Sequence, residues 1–315
     1  MSFQIKSKYF FTGQEISYTE LDQLLDLAIW LKKNPIQNVL KNKNIALLFE
    51  KPSLRTRVSF TVGVQQLGGQ VIEITSAQRK KEEPQDTIRV LQGYVQGLMI
   101  RTFEHEILHQ MAEYSKIPII NGLSDLHHPC QVLADLQTLK ENFGDLKGKK
   151  IAYVGDGNNM LHSLLLMAPM MGMTVHYACP KGFTPDAGVV KSAANSTSSQ
   201  SAGLFIKEFQ SAAEAVAGVD AIYTDVWTSM GFESSGSEAE KLKQEQNKIA
   251  TFSSYQLNAK LLSLANPDAL IMHCMPIVID QEITREMVEH KNSVLFQQSE
   301  NRLHAQKALM MGMFA

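Results

Sequence analysis

Apolar residues fall into two alternating patterns along this chain. Short continuous runs bounded by Gly, Pro or Asp are followed by longer segments in which apolar residues return at helical spacing. NIALLF (Asn44–Phe49) predicts a buried strand, and the segment 53–67 then places Val58, Val62 and Leu67 at a helical interval. QVIEIT, GLMIRT and IPIING repeat the strand pattern. A second series starts at KIAYVGD (150–156) and continues through TVHYAC, GLFIKEF, DAIYTDVW, ALIMHCM and SVLFQQ. Apolar runs separated by roughly 15–25 residues predict βαβ units with parallel sheets. At 315 residues the chain suits two such α/β domains. The connection is placed after His128, with ENFGDLKGKK (141–150) as the turn into the second domain. Three polar segments read as loops: 79–86, which contains Pro84; 192–203, read as a helix end with a surface turn; and 233–248, placed where a mobile flap would sit. No internal repeat at a fixed period is found.

Composition narrows the class. Apolar residues at 44% and charged residues at 20% describe a soluble globular protein. Thirty Lys and Arg against 32 Asp and Glu leave a formal charge of −2, without the basic excess of a nucleic-acid or anionic-membrane binder. Any cationic site must therefore be local. The most apolar stretch, Met160 to Met173, is interrupted by His162, Ser163 and Pro169, so no membrane span is expected. The N-terminus lacks the apolar core and cleavage site of a signal peptide. Cys130, Cys179 and Cys274 lie far apart with no CxxC pair, which argues against a disulfide framework or a structural zinc site. A reducing cytoplasm is the expected compartment.

The informative feature is where the polar residues fall. In open α/β sheets, ligands bind beyond the carboxyl ends of the strands. Here the strand-like runs end in KPSLRTR, TFEH, GLSDLHHPCQ, GNN, VWTSMG and CMP, which points to one cleft fed by both sheets. Ser53 begins a helix directly after a strand, so free backbone N–H groups and a positive helix end face outward, with Thr56 and the Arg57 fork beside them. The competing reading is a capped helix carrying two solvated arginines. Arg101 closes an otherwise apolar strand, and either joins the site or pairs with Glu104 or Glu106 at the rim. His127, His128, Cys130 and Gln131 share one turn; they make a poor metal set, and Pro129 puts His128 and Gln131 at the mouth of a helix, aimed as donors to an acyl oxygen. Gly155-Asp156-Gly157-Asn158-Asn159 resembles a dinucleotide turn but lacks its third glycine, so a nicotinamide cofactor is not expected. Asp225 with Ser229-Met230-Gly231 offers a carboxylate and backbone groups suited to an amino-acid ammonium, or forms a plain strand-end turn. Cys274 has no nucleophile context and reads as an inert thiol. Glu300-Asn301-Arg302 opens the last amphipathic helix, where Arg302 is either a surface residue or another donor to the cleft.

FEKPSLRTRVSF, HPCQVLADLQTL, GDGNN, DVWTSMG, HCMP and ENR occur in the order found in ornithine carbamoyltransferases, and the resemblance spans essentially the whole chain. The related aspartate enzymes share SxRTR and HPxQ, while the SMG and Cys-containing loops resemble the ornithine branch. The resemblance implies two Rossmann-like domains with parallel sheets, a carbamoyl phosphate domain (1–140 with a returning C-terminal helix at 300–315) and an ornithine domain (141–299). It implies that Ser53, the Leu54 and Arg55 backbone, Thr56 and Arg57 hold the phosphate. Arg101, His128 and Arg302 would polarise or position the carbamoyl group, with Gln131 orienting its amide. Asn159, Asp225, Ser229 and Met230 would receive the amino-acid end of ornithine, and Cys274 and Met275 would line the approach of the side-chain amine. No cofactor or metal is implied, and the assembly implied is a homotrimer, or a multiple of it, with sites completed by a neighbouring chain. The chemistry fits: attack by a neutral amine on carbamoyl phosphate builds charge that preorganised Arg, His, Thr and helix-end donors can stabilise.

The sequence departs from the family at Leu54, where many relatives have Thr, in the 79–86 loop, where Gln78 or Lys80 is a candidate for reaching a neighbour's phosphate, and after HCMP, where IVIDQEI replaces HRGEEI. Two other readings stay open: a carbamoyltransferase for putrescine, an N-acylated ornithine or aspartate, and a binding protein without catalysis. The set Arg57, Arg101, His128, Gln131 and Arg302 disfavours the second, because a pure binder needs no donors at the carbonyl oxygen.

Overall fold

A computed structural model describes residues 3–76, 82–196, 205–227 and 238–314. In chain order the elements are β1 (Tyr9–Phe10), α1 (Tyr18–Lys33), β2 (Asn44–Phe49), α2 (Leu54–Gln66), β3 (Gln70–Thr75), α3 (Pro84–Leu91), β4 (Gly97–Arg101), α4 (Glu106–Tyr114), β5 (Ile119–Leu123) and α5 (Pro129–Phe143). There follow β6 (Lys150–Val154), α6 (Asn159–Met167), β7 (Thr174–Ala178), α7 (Ala187–Ser196), β8 (Ile206–Glu208), α8 (Ala212–Val216), β9 (Ala221–Thr224), α9 (Glu238–Phe252), α10 (Ala259–Leu262), β10 (Leu270–His273), α11 (Arg285–Val288) and α12 (Leu295–Phe314). The chain divides into two compact units, Met1–Gly144 with Ser299–Ala315, and Asp145–Gln298. Each holds one five-stranded sheet in which every pairing is parallel.

The first sheet runs β1-β5-β4-β2-β3. β2 and β4 are buried almost throughout, as expected for strands covered by helices on both faces. The chain steps from β2 outward to β3 and then crosses to β4 on the other side of β2, so the order reverses between β2 and β4. Crevices for ligands open at such reversals, beyond the carboxyl ends. Phe49 and Arg101 are register partners at that point. The second sheet runs β10-β9-β6-β7-β8, with the same reversal between β6 and β9. Their carboxyl ends lead to Gly155–Asn158 and to Asp225.

Local chemistry fixes the surrounding helices. Ser17 and Glu20 form a reciprocal capping box on α1, whose Leu21, Leu24, Leu25, Ala28 and Leu31 are buried on one face. From Pro129 to Leu139 every residue of α5 is buried, polar ones included. The residues of α12 from Ser299 onward belong to the first unit, and Phe314 packs so closely on β4 that a Cβ at Gly97 would lie 2.2 Å from its ring. Lys43 Nζ donates to the Phe314 carbonyl at 2.7 Å.

Four expectations change. SVLFQQ is not a strand: Ser293 makes a single bridge to Ile271, Val294 N–H donates to the Ile271 carbonyl, and the helix starts at Leu295. Consequently Glu300-Asn301-Arg302 lies inside α12 instead of opening it. The segment 233–248 is helical from Glu238, because Ala, Glu, Lys and Gln are strong helix formers even without an apolar stripe. The core face of α2 is Phe60, Gly63 and Val64, while Val58 is exposed and Val62 half-buried. In the 79–86 loop, Pro84 takes the first turn of α3, a position that needs no N–H. The N-terminal β1 and α1 had no counterpart in the sequence reading.

Candidate active site

In the first unit the site grows from the ends of β2, β4 and β5 and from α12. Glu50 N–H donates to the Arg101 carbonyl, and its carboxylate accepts from Thr102 Oγ1 at 2.6 Å, tying the two strand ends together. Ser53 is extended (φ −156°) and its hydroxyl makes no capping bond to α2, so the first-turn N–H groups are not satisfied by that side chain. Thr56, in that first turn, is buried, and its Oγ1 accepts from Arg302 Nη2 at 2.7 Å and from Arg101 Nη1 at 3.5 Å. Arg302, itself only 3% exposed, also donates through Nη1 to Gln131 Oε1 and lies 3.5 Å from His128 Nε2. A guanidinium only donates, so that contact uses the Nε2 lone pair. Burial and the charges of Arg302, Arg101 and Arg55 hold the His128 pKa well below its ordinary value. The imidazole is therefore neutral at pH 7, and the positive charge of this cluster resides in arginines.

The structure thus brings Arg55, Thr56, Arg101, His128, Gln131 and Arg302 together. Arg57 has a carboxylate partner of its own. Its Nε donates to Glu73 Oε2 at 2.7 Å and its Nη2 to Oε1, so the bidentate fork is directed to a carboxylate on β3, with the side chain 56% exposed. A cavity of about 330 Å³ lies beside this pair, lined by Lys51, Ser53, Arg57, Glu73 and Ser76 among others; Thr56, His128, Gln131 and Arg302 are not part of its wall. Leu54 is 72% exposed.

Several supporting residues escaped the sequence reading. Asp135 accepts from Gln131 Nε2 at 2.9 Å, one helical turn away, and fixes which end of that amide faces Arg302. The Gln131 to Asp135 spacing in a helix buried along its whole length was the available signal. Asn301 clasps α5 beside Arg302, donating to Thr138 Oγ1 at 2.9 Å and Glu141 Oε2 at 2.8 Å while accepting from Lys32 at 2.8 Å. Beside His127, the buried His105 donates its backbone N–H to Asp125 and shares a 2.8 Å bond from Nδ1 with Ser124 Oγ. Its ring meets His109 and His127 edge-on. Burial, with a smaller contribution from His109, pulls the His105 pKa from 6.5 down to about 4.

That shift has a defined consequence. The unfolded chain takes up a proton near pH 6.5 that folded His105 refuses until about pH 4, so its stability contribution is full above pH 6.5 and is lost as pH falls through that window. The ceiling is on the order of 3 kcal/mol, and His128 acts with the same sign. Urea midpoints measured between pH 7.5 and 4.5 should fall less steeply in His105→Gln than in the parent chain; parallel slopes would refute the account.

In the second unit, Asn158 caps α6, accepting from Met160 N–H at 2.9 Å, and donates through Nδ2 to Asp225 Oδ2 at 2.8 Å. Asp225 Oδ1 accepts from Val226 N–H at 2.8 Å and from the Cys274 thiol at 2.9 Å. Asn158, which the sequence did not single out as a site residue, thus bonds Asp225, and Asn159, expected at the amino-acid end of the substrate, is the buried first residue of α6. The tight turn between β6 and α6 depends on Gly157, where a Cβ would lie 2.3 Å from the Pro185 nitrogen. Tyr153 OH donates to Asn158 Oδ1, and burial with the charges of Asp225 and Asp156 raises its pKa far above 10. Met275 follows with φ +58°. Asp225, His273 and Cys274 each present a donor atom, all within 4.8 Å of one another, and are the one grouping among the described residues that could hold a metal ion. Ser229, Met230, Gln78 and Lys80 lie outside the described residues.

Residues 8–141 match the carbamoyl-P binding domain of aspartate/ornithine carbamoyltransferases, and residues 147–313 match the Asp/Orn binding domain of the same family. The chain belongs to the aspartate/ornithine carbamoyltransferase family. An ornithine carbamoyltransferase of Oceanobacillus iheyensis is 45% identical over 99% of this chain and 96% of its own. The solved ornithine carbamoyltransferase of Pyrococcus furiosus is 39% identical, covers 96% of this chain and 95% of its own, and superposes with a TM-score of 0.87. A solved N-acetyl-L-ornithine transcarbamylase is 29% identical over 98% of this chain and all of its own, with a TM-score of 0.84. The fold therefore accommodates more than one amine substrate within this carbamoyltransferase family, and the sequence lies nearer the ornithine enzymes. This chain is a carbamoyltransferase of that branch. Among the described residues no helix is long and apolar enough to cross a membrane.

Proposed function

We propose that the protein transfers the carbamoyl group of carbamoyl phosphate to the δ-amine of L-ornithine, giving L-citrulline and phosphate. The observation that carries this reading is the buried Arg302 guanidinium, forked between Thr56 and Gln131 beside a neutral His128. A buried guanidinium held in place by fixed neutral oxygens is a preorganised donor, suited to a site where negative charge develops on a carbonyl oxygen.

In this reading the α2 N–H groups, Ser53, Leu54, Arg55 and Thr56 take the phosphate together with Arg101. Arg302 and His128 address the carbonyl oxygen, and Gln131 orients the carbamoyl amide. Arg57, committed to Glu73, supports the loop instead of gripping the phosphate. Asp225 anchors the α-ammonium of ornithine, with Asn159, Ser229 and Met230 around the amino-acid end. Cys274 and Met275 line the approach of the δ-amine. The amine nitrogen forms a bond to the carbonyl carbon, the bond from that carbon to the phosphate oxygen breaks with its electron pair leaving on phosphate, and the nitrogen loses a proton. Cations nearby favour the neutral amine that attack requires. Direct attack by the amine is the reading adopted, since positioned donors can stabilise the developing charge without a covalent intermediate. No step is assigned to a metal or cofactor.

A homotrimer, or a multiple of it, is proposed as the assembly. It is supported by exposed apolar side chains on α2 and the edge strand β3, where Leu54, Val58 and Ile72 are 72%, 51% and 41% exposed. A cytoplasmic location is proposed from the three free cysteines.

The test supplies carbamoyl phosphate with ornithine, putrescine, N-acetylornithine or aspartate and follows ureido product and phosphate. Ornithine should exceed each alternative by at least about 100-fold in kcat/KM, the scale on which a site built for a specific polar group rejects analogues. Fastest turnover with another amine would replace the substrate; tight carbamoyl phosphate binding without turnover would favour a binding protein. Sedimentation of the same preparation should give a mass that is a multiple of three chains, and a stable monomer at assay concentration would remove the trimer.

A further inference from the structure

We propose that Glu282, acting through His273, is a positioning residue for Cys274 and Met275; the inference rests on the ornithine reading of that loop. β10 ends at His273, so the next two residues leave the sheet into the candidate amine site. His273 and Glu282 are both completely buried, with Nε2 and Oε1 3.3 Å apart. The tautomer follows from the other bonds. His273 Nδ1 accepts the Met275 N–H at 2.9 Å, which leaves the ring proton on Nε2, facing the carboxylate. The same Glu282 oxygen accepts the Val278 N–H at 2.6 Å, and the Glu282 carbonyl accepts from Leu257 N–H at 2.8 Å. His273 N–H donates to Gln298 Oε1 at 3.0 Å, and Gln298 in turn donates to the Tyr223 hydroxyl at 3.1 Å.

The Met275 N–H bond to Nδ1 and the Glu282 carboxylate 3.3 Å from Nε2 place both ends of the segment 274–282 against one buried imidazole, the second contact being a close approach and not an aligned hydrogen bond. They hold Met275 at φ +58°, a region a side-chain-bearing residue seldom occupies unless the surroundings impose it. Turning the backbone there is what aims the Cys274 thiol at Asp225, 2.9 Å away. The arrangement resembles the supporting bonds that orient ligating histidines, where removing the outer partner leaves the chemistry present but misplaced.

The test uses the full chain with Glu282→Gln, Glu282→Asp and Glu282→Leu. Glutamine keeps an oxygen able to accept both N–H groups, and should stay within about threefold of the parent in all parameters. Leucine removes the acceptor, and aspartate retracts it by one methylene. Both should lower kcat/KM for ornithine by about 10- to 100-fold, the range for losing an orienting partner, while carbamoyl phosphate affinity stays within about twofold. Peptide-resolved iodoacetamide labelling of Cys274 relative to Cys179 should change by more than about threefold in the aspartate and leucine variants and remain unchanged with glutamine. If leucine prevents folding, the aspartate variant carries the same expectation. Parent-like ornithine kinetics and labelling in Glu282→Asp would overturn the proposal. So would a glutamine variant as impaired as the aspartate one, or equal losses toward both substrates. If the parent enzyme prefers another amine, the ornithine reading fails, while the same split for that amine and the labelling ratio still decide the role of Glu282.

Discussion

Replacing Arg302 by alanine is expected to lower kcat/KM for carbamoyl transfer about a thousandfold, roughly 4 kcal/mol of transition-state stabilisation. Two effects combine. The variant loses a buried cation aimed where negative charge develops on the carbonyl oxygen, and it leaves Thr56 Oγ1 and Gln131 Oε1 without their charged donor. The first acts only along the reaction; the second loosens the geometry that Asp135 and Asn301 otherwise hold. Steady-state rates with both substrates, alongside a thermal unfolding curve, separate the two. A misfolded variant would lose cooperativity, whereas a catalytic loss leaves the transition intact. Arg302→Lys should recover less than a tenth of the lost rate, because an ammonium supplies charge but cannot fork between two oxygens. Activity within about tenfold of the parent in Arg302→Ala would remove Arg302 from the reaction centre.

The two parallel sheets were legible because their central strands are buried on both faces and so read as continuous apolar runs. β2, β4 and β6 begin and end close to where the sequence places them. SVLFQQ failed by the same rule. A buried helix start such as Val294-Leu295 has the same apolar run as a strand, and only the hydrogen bonds after Ile271 distinguish the two. The segment 233–248 misled in the opposite direction, since so few apolar residues give no periodic signal to read. Within the site, strand-end positions were legible for Arg101, His128, Asp225 and Cys274, because the chain must leave the sheet there. Partner choice was not. Asn158 with Asp225, Arg302 with Thr56 and His273 with Glu282 join residues far apart or on different elements, and nothing in either local sequence selects them.

The same limit governs the SxRTR motif, and yields the second large effect. Arg55→Ala should weaken carbamoyl phosphate binding and lower kcat/KM by about 100-fold or more, the scale of losing a charged donor to a developing phosphate charge. Arg57→Ala should cost at most about fivefold, because an exposed ion pair contributes roughly 0–1 kcal/mol. Arg55 and Arg57 share the first turn of α2 but, two positions apart, point in different directions around it, and that sets this contrast. The charge of Arg55 reaches His128 together with those of Arg302 and Arg101, whereas Arg57 turns its fork to Glu73 on the edge strand. From sequence alone Arg57 had the stronger claim, since its fork suits phosphate and the Glu73 side chain that occupies it lies sixteen positions away. Glu73→Gln then discriminates further. If Glu73 keeps Arg57 out of the anion site, releasing the fork should change carbamoyl phosphate affinity less than Arg55→Ala does and should not rescue it in the double variant. Calorimetric titration of carbamoyl phosphate into the three single variants and the Arg55→Ala/Glu73→Gln pair measures this directly. A larger loss in Arg57→Ala than in Arg55→Ala would mean that Glu73 yields the fork when the phosphate arrives, and that the ion pair is a resting partner exchanged for substrate.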